Sequence, residues 1–293
     1  MRIARWTSAL SFSIASALSS SSASAQRAPS AERWTEVAPG LRVLERTARW
    51  TDGAIARVFA ARMDLCQSTL TVRVSSPNEG ARTVSAFARN ARALIAVNGD
   101  YFDRATLRPT GPARASGLLW STSAWTHHDS ILAIHRDGSA VFRDVTAPGT
   151  APLTQLFNAQ DLQHSDVLSA RERVLVDGRT RLSPWVEHDG RRHPRTGVGL
   201  SADRRTLWLV VIDGRTARSA GATVEELAET LRSLGASDGV KLDGGGSSAM
   251  FVRARGVINH PSDGRERVVA NHLAIVRSAR GATRPWCASA TPR

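Results

Sequence analysis

Hydrophobic and polar positions alternate in short runs along most of the chain. Strand-like runs cover Ile55–Ala61, Thr69–Ser75, Leu94–Val97, Ser130–His135, Ser139–Phe142, Val174–Val176, Leu207–Ile212, Gly239–Leu242 and Leu273–Val276. Asp137-Gly138, Asp177-Gly178, Asp189-Gly190 and Asp213-Gly214 supply turn chemistry between them. Two segments carry a helical period. Thr83–Ala93 is one. Thr223–Leu234 is the other, with Thr223 as N-cap, Glu226 completing a capping box, Val224, Leu227, Ala228 and Leu231 on one stripe, and Gly235 as the stop. Each helix leads into a strand that ends in a polar residue and a glycine: Asn98-Gly99 after the first, Asp243-Gly244 after the second. The pattern predicts an α+β, strand-rich single domain with mixed sheets and a few helices, and leaves open two related halves.

The N-terminus departs from this pattern. Arg2 and Arg5 precede an apolar stretch, Trp6–Leu18, which is shorter than the ~20 residues a membrane span needs. A small-residue run ending Ala23-Ser24-Ala25 follows. That order predicts a signal peptide over 1–25 with cleavage after Ala25, a polar linker over 26–33, and a domain over 34–293. A secreted or periplasmic protein without a transmembrane anchor follows. In an oxidising compartment, Cys66 and Cys287, the chain's two cysteines, are expected to pair and clip the C-terminal tail to an early strand.

With 42% hydrophobic and 22% charged residues, disorder and coiled coil are excluded. Lys+Arg total 39 and Lys241 is the only lysine, so arginine supplies the rest. Loss of Arg2 and Arg5 with a leader lowers the formal charge only from +13 to +11. Such a charge favours anionic polymers, phosphorylated glycans or membrane surfaces. Nucleic acid is not an expected partner, because the basic residues are scattered instead of gathered in a stripe with exposed aromatics.

Four segments carry candidate chemistry. Lys241-Leu242-Asp243-Gly244-Gly245-Gly246-Ser247-Ser248 follows an apolar strand. Its glycines let backbone approach a ligand and its N–H groups and hydroxyls suit phosphate oxygens or a sugar edge, with Asp243 pointing into the same site. Asn98-Gly99-Asp100-Tyr101-Phe102-Asp103 offers carboxylates, an amide and an aromatic, and competes with a plain Asn-Gly hairpin turn. His193-Pro194-Arg195-Thr196-Gly197-Val198-Gly199 offers the Arg195 fork for a phosphate. Asn259-His260-Pro261-Ser262-Asp263-Gly264, with Arg267 and Asn271, reads in isolation as a polar turn. His127 and His128 do not share a strand face and are read as surface loop, not a metal pair. Ser247 and Ser248 lack the Gly-x-Ser-x-Gly elbow of serine hydrolases. Trp208 is read as core, and Trp120, Trp125 and Trp185 as loop residues able to stack on carbohydrate.

Taken together and in order, these segments resemble the phosphodiester glycosidase family over residues 90–277. Leu242-Asp243-Gly244-Gly245-Gly246-Ser247-Ser248 is the strongest element. It is supported by Asn98-Gly99 with Phe102, by Pro194-Arg195-Thr196, by Asp213-Gly214-Arg215 leading to Gly221 and the Glu225-Glu226-Leu227 helix, and by Asn259 through Asn271. Asp100 and Lys241 depart from the family pattern, which has a small residue and Asn there. The resemblance implies hydrolysis of a sugar joined through its anomeric carbon to a phosphate diester. Asp243 is then the carboxylate at the anomeric carbon, as nucleophile or as base for water, with Asp263 or Asp213 as the second acidic group. Arg195 and Arg267 hold the phosphate together with Thr196 and the Gly244–Ser248 backbone, while Asn98, Gly99, Asn259 and Asn271 order the sugar and loops. Two other readings stay open: a non-catalytic phosphoglycan-binding module, and a phosphodiesterase that cuts the P–O bond. The residues name no cofactor, and whether a divalent ion is needed stays open. A divalent ion is compatible with aspartates beside a phosphate, but no ligand spacing demands one.

Overall fold

The strand Thr206–Ile212 shows how alternation builds the layers. Leu207, Leu209 and Val211 join a central core, while Trp208, Val210 and Ile212 point the other way into a second cluster beneath a helix. Trp208 is therefore core, as its sequence context implied. The computed structural model describes residues 32–120, 129–145, 165–183, 190–278 and 284–288. The 1–25 leader and most of the 26–33 linker, together with Trp125, His127, His128 and Trp185, lie outside the described residues.

An eight-stranded sheet runs β1 (Thr35–Ala38), β2 (Leu41–Arg49), β3 (Ile55–Asp64), β16 (Thr206–Ile212), β15 (Arg195–Leu200), β17 (Asp238–Lys241), β13 (Glu172–Val176), β14 (Arg179–Thr180). A five-stranded sheet runs β19 (Gly256–Val257), β18 (Met250–Val252), β5 (Ile95–Asn98), β20 (His272–Arg277), β4 (Leu70–Val74). A second five-stranded sheet runs β11 (Ala140–Asp144), β10 (Ser130–Ile134), β12 (Asp166–Ala170), β8 (Ala113–Ala115), β9 (Leu118–Leu119), and β6 (Phe102–Asp103) pairs β7 (Arg108–Pro109). The inner faces of the three larger sheets share the central core, with Phe59, Val97, Leu132, Leu168, Val211, Leu242 and Ile275 among its members.

Helix α1 (Val84–Asn90) covers the outer face of the β5 sheet through Val84, Phe87 and Ala88. Helix α2 (Val224–Ser233) covers the outer face of the eight-stranded sheet through Val224, Leu227, Ala228 and Leu231. The α2 capping box forms as the sequence predicts: Glu226 N donates to Thr223 Oγ1 at 3.2 Å and Thr223 N to Glu226 Oε2 at 2.9 Å. α1 has the simpler cap, Ala86 N to Thr83 Oγ1 at 3.2 Å.

The strand-rich α+β class holds, with one refinement: every strand pairing among the described residues is antiparallel, so the sheets are not mixed. β15 was hidden in the sequence because Gly197 and Gly199 weaken a strand signal. Both glycines sit beneath α2 and its C-terminal turn. A Cβ on Gly199 would lie 2.8 Å from the Ala236 Cβ, and one on Gly197 3.1 Å from Leu227 Cδ1. Cys66 and Cys287 are joined by a disulfide across 221 residues of sequence, tying α3 (Pro285–Ala288) to the turn after β3. Among the described residues no helix is long and apolar enough to cross a membrane.

Candidate functional site

β5 and β17 are interior strands of two different sheets, and the chain after each converges on one place. Asp243 N donates to Gly99 O at 3.2 Å, Asn98 Nδ2 to Asp243 O at 2.8 Å, and Leu242 N to Thr196 O at 2.9 Å. Three of the four sequence segments are thus stitched together by backbone. The fourth joins through Asn271, whose carbonyl accepts from Gly99 N at 2.8 Å and whose Oδ1 accepts from Asp100 N at 3.0 Å. Gly99 is not a hairpin glycine. A Cβ there would lie 2.0 Å from Asn271 Oδ1, so the residue is needed for close approach.

The buried amides and hydroxyls form the frame. Asn98 is fully buried: its Nδ2 also donates to Gly99 O at 3.0 Å, and its Oδ1 accepts from Thr196 Oγ1 at 2.8 Å and Ala249 N at 3.3 Å. Thr196 Oγ1 lies 3.2 Å from Ser248 Oγ. Asn259 Nδ2 donates to Asp213 Oδ1 and Ser248 O, both at 3.1 Å, and its Oδ1 accepts from Met250 N at 2.8 Å.

Beyond the frame a cavity of about 310 Å³ opens, lined by Tyr101, Arg104, His193, Arg195, Arg215, Asp243, Gly244, Gly245, Gly246 and Arg267. Asp243 is its only carboxylate among these residues. Burial pushes the Asp243 carboxyl up to about 6, Ser247 and the Gly244 N–H (2.9 Å from Oδ1) pull it down, and nearby Asp100 adds to the rise. Arg195 donates from Nε to Ala222 O at 2.8 Å and from a terminal nitrogen to Arg191 O at 3.2 Å, so its charge is held in place by neutral carbonyls. Arg215 donates to His193 Nδ1 at 3.1 Å, which makes that nitrogen an acceptor. Arg267 donates to Asp263 Oδ2 at 2.6 Å and to Ser247 Oγ at 3.2 Å.

The glycine run plays a narrower part than a phosphate cradle. Gly244 N is spent on Asp243, Gly245 N on Pro194 O at 2.9 Å, and Ser247 N and Ser248 N on Gly244 O and Gly245 O, both at 3.2 Å. Gly246 has no room for a side chain, since a Cβ would lie 2.1 Å from Asp263 Oδ2. The glycines bring the loop against Pro194 and the Asp263–Arg267 pair, and the cationic lining comes from arginine side chains. Asp213 and Asp263 are not cavity-lining groups. Asp213 is buried, takes its bonds from Asn259 and from His260 N (2.9 Å), and burial raises its pKa.

Tyr101, Arg104, His193 and Arg215 line the cavity without having been assigned a role from the sequence. Arg215 adopts φ +62°, a left-handed turn that arginine tolerates poorly. Its position in Asp213-Gly214-Arg215 was the available signal. Among the described residues, no group of three or more His, Cys, Asp or Glu gathers as metal ligands.

Comparison with known proteins places these segments in one recognised pattern. A family profile described as phosphodiester glycosidase matches residues 91–276. The uncharacterised SPbeta prophage-derived protein YomE of Bacillus subtilis strain 168 is 24% identical over 213 residues, which is 64% of this chain and 33% of YomE. The chain therefore spans about a third of that relative's length. The zebrafish N-acetylglucosamine-1-phosphodiester alpha-N-acetylglucosaminidase catalytic domain, auto-inhibited by its pro-peptide, superposes with TM-score 0.63 at 19% identity, over 81% of this chain and 84% of that one. A hypothetical protein from Synechocystis superposes with TM-score 0.58 at 15% identity, over 85% of this chain and 64% of that one. At these identities the structures share the fold.

Proposed function

We propose, from the premise that this chain belongs to the phosphodiester glycosidase family, that it is an exported hydrolase cleaving the anomeric C–O bond of a sugar-1-phosphodiester. One observation carries the reading: a lone cavity carboxylate, Asp243, stands among Arg104, Arg195, Arg215 and Arg267. Glycosidic cleavage passes through an oxocarbenium-like transition state, which a carboxylate at the anomeric carbon stabilises as nucleophile or as base for water. A pKa of about 6 leaves Asp243 mostly ionised at neutral pH while keeping it basic enough to take a proton. The departing phosphate needs little protonation, and cations fixed around it lower the barrier instead.

Arg195 and Arg267 hold the phosphate in this reading, with Arg104 and Arg215 beside them. Asn98, Thr196, Ser248, Asn259 and Asn271 position the loops and do not themselves touch sugar. Asp263 acts by fixing Arg267, and Asp213 by fixing Asn259. Export, with a mature domain over 34–293, is supported by the leader-like N-terminus and by the Cys66–Cys287 disulfide, which an oxidising compartment maintains.

The test is sugar release. Purified protein is given UDP-N-acetylglucosamine and a panel of sugar-1-phosphodiesters, beside Asp243→Asn, with a chelator arm to read any divalent-ion requirement. Release by wild type and not by the variant is expected. In labelled water the label enters the sugar; label in the phosphate would mean P–O cleavage. Binding without release from any donor would make the protein a phosphoglycan-recognition module.

A further inference from the structure

The chain's only lysine and only tyrosine meet behind the cavity. Lys241 Nζ lies 5.9 Å from the centroid of the Tyr101 ring, and the Arg171 guanidinium carbon 4.7 Å from it. Lys241 is also ion-paired at 2.8 Å to Glu172, with the two side chains only 4% and 0% exposed. β13 and β17 set Glu172 opposite Lys241 in register, and Arg171 N donates to Lys241 O at 3.1 Å. Ser183 N donates to Glu172 Oε2 at 3.2 Å. One corner of the fold thus aims two cations at one phenol ring. Tyr101 in turn lines the same cavity as Asp243.

A buried ion pair is a costly way to stabilise a protein, because desolvation offsets most of the attraction. Every other lysine-or-arginine position in this chain is arginine, so the lysine is not a compositional habit. Lys241 also stands opposite Gly197 on β15 in register, and a guanidinium there would bring five donors to satisfy where the ammonium brings three. Burial lowers the Lys241 pKa and the Glu172 carboxylate pushes it back up. Burial, with the charge of Asp243, raises that of Tyr101, whose phenol keeps its proton.

We propose that Lys241 is a positioning residue: held by Glu172, it fixes the Tyr101 ring together with Arg171, so that the ring keeps one orientation at the cavity Asp243 lines. The inference rests on the hydrolase reading for its kinetic consequence and on the cation–ring geometry for its physical one.

The decisive kinetic test compares Tyr101→Phe, the paired apolar variant Lys241→Met/Glu172→Leu, and the three changes combined, on a donor that wild type turns over. Each of the first two lowers kcat on the order of tenfold with KM within about twofold, and the combination is no slower than Tyr101→Phe alone. Losses that multiply, or full kcat in the paired variant at unchanged Tm, would overturn the proposal. A second arm needs no turnover. With labelled tyrosine the protein gives a single set of ring signals by NMR, which shifts and shows faster ring flipping in the paired variant. An unchanged signal overturns the clamp, whereas wild type inactive on every donor defeats the hydrolase reading alone. If the paired variant does not fold, Glu172→Gln is read in both arms in the same way.

Discussion

Two units of the molecule are built alike and end differently. In one, Thr83 caps α1, β5 follows as an interior strand, and the chain closes on Asn98-Gly99. In the other, Thr223 caps α2, β17 follows as an interior strand, and the chain closes shortly after it on Asp243-Gly244. Each helix lies on the outer face of its sheet, and the two strand ends bond to each other. Asn98 is a neutral amide with both polar atoms engaged and no exposure. Asp243 is a carboxylate at a cavity, with a pKa of about 6. A satisfied amide can be buried at little cost and will hold three segments together. A buried carboxylate resists ionisation, and that resistance is what a proton-accepting group uses.

Removing the charged end breaks the comparison most severely. Asp243→Asn lowers sugar release by on the order of a thousandfold. Wild-type activity rises as pH passes about 6, where Asp243 ionises. Stability moves the other way. The folded pKa is raised from 3.8 to about 6, so the native state holds the extra proton between those values and loses stability as pH climbs through them. Asp243→Asn is therefore more stable than wild type above pH 6, and the gain disappears below about pH 4. Melting temperatures of both proteins across pH 3.5–8 check this, and a gain independent of pH would contradict the burial argument.

The opposite exchange is next in size. Asn98→Asp places a second carboxylate where Nδ2 donates to two carbonyls, turning two hydrogen bonds into repulsions in a dry interior. A loss of about 3–5 kcal/mol in urea unfolding is expected, against about 2 for Asn98→Ala. Equal losses would mean that the amide's donors matter less than its shape.

The resemblance between the two units was legible in the sequence as helix, strand, polar residue and glycine, and the capping box of α2 was legible residue by residue. What each unit does with its polar end was not. Asn98 and Asp243 both read as site residues because both follow an apolar strand, and only burial and bonding partners separate frame from cavity. Asp213 and Asp263 are candidate acids only through the family resemblance. They are spent on Asn259 with His260 N, and on Arg267. The glycine run suggested exposed N–H groups, yet four of the five from Gly244 to Ser248 are bonded within the protein, those of Ser247 and Ser248 inside the tight 3₁₀ turn and those of Gly244 and Gly245 to Asp243 Oδ1 and Pro194 O. Arg104 belongs to no motif, and in an arginine-rich chain nothing marks it until the fold gathers it with Arg195, Arg215 and Arg267 around one cavity.

The glycines that follow each polar end give a smaller and more symmetrical test. Neither needs its backbone freedom; both need the absence of a side chain. A Cβ would lie 2.0 Å from Asn271 Oδ1 at Gly99 and 2.7 Å from Pro194 O at Gly244. Gly99→Ala must displace a buried amide that also holds Asp100 N, and costs about 2–3 kcal/mol. Gly244→Ala meets a single carbonyl at the rim of the cavity, so it costs less stability and shows instead as a fall in kcat. A larger stability loss at Gly244 would reverse the assignment of frame and cavity.

The finest contrast lies at the helix starts. Thr83→Ala removes the cap bond from Ala86 N and a long contact with Ser85 Oγ, and is expected to cost about 0.5–1 kcal/mol. Thr223→Ala removes half of a reciprocal box and costs about 1–2 kcal/mol. Glu226 does more than cap. Its carboxylate also receives Arg192 Nε at 2.9 Å, and the same guanidinium reaches Asp52 at 2.6 Å. Glu226→Gln keeps the acceptor for Thr223 N but drops the charge, so any further loss measures the Arg192 pair alone, expected at about 0.3–1 kcal/mol and shrinking with added salt. A salt-independent loss would place the effect in the cap. The reinforcement would then belong to α2 itself and not to the Arg192 segment it grips, which leads directly into His193 and, three residues on, Arg195 at the cavity wall.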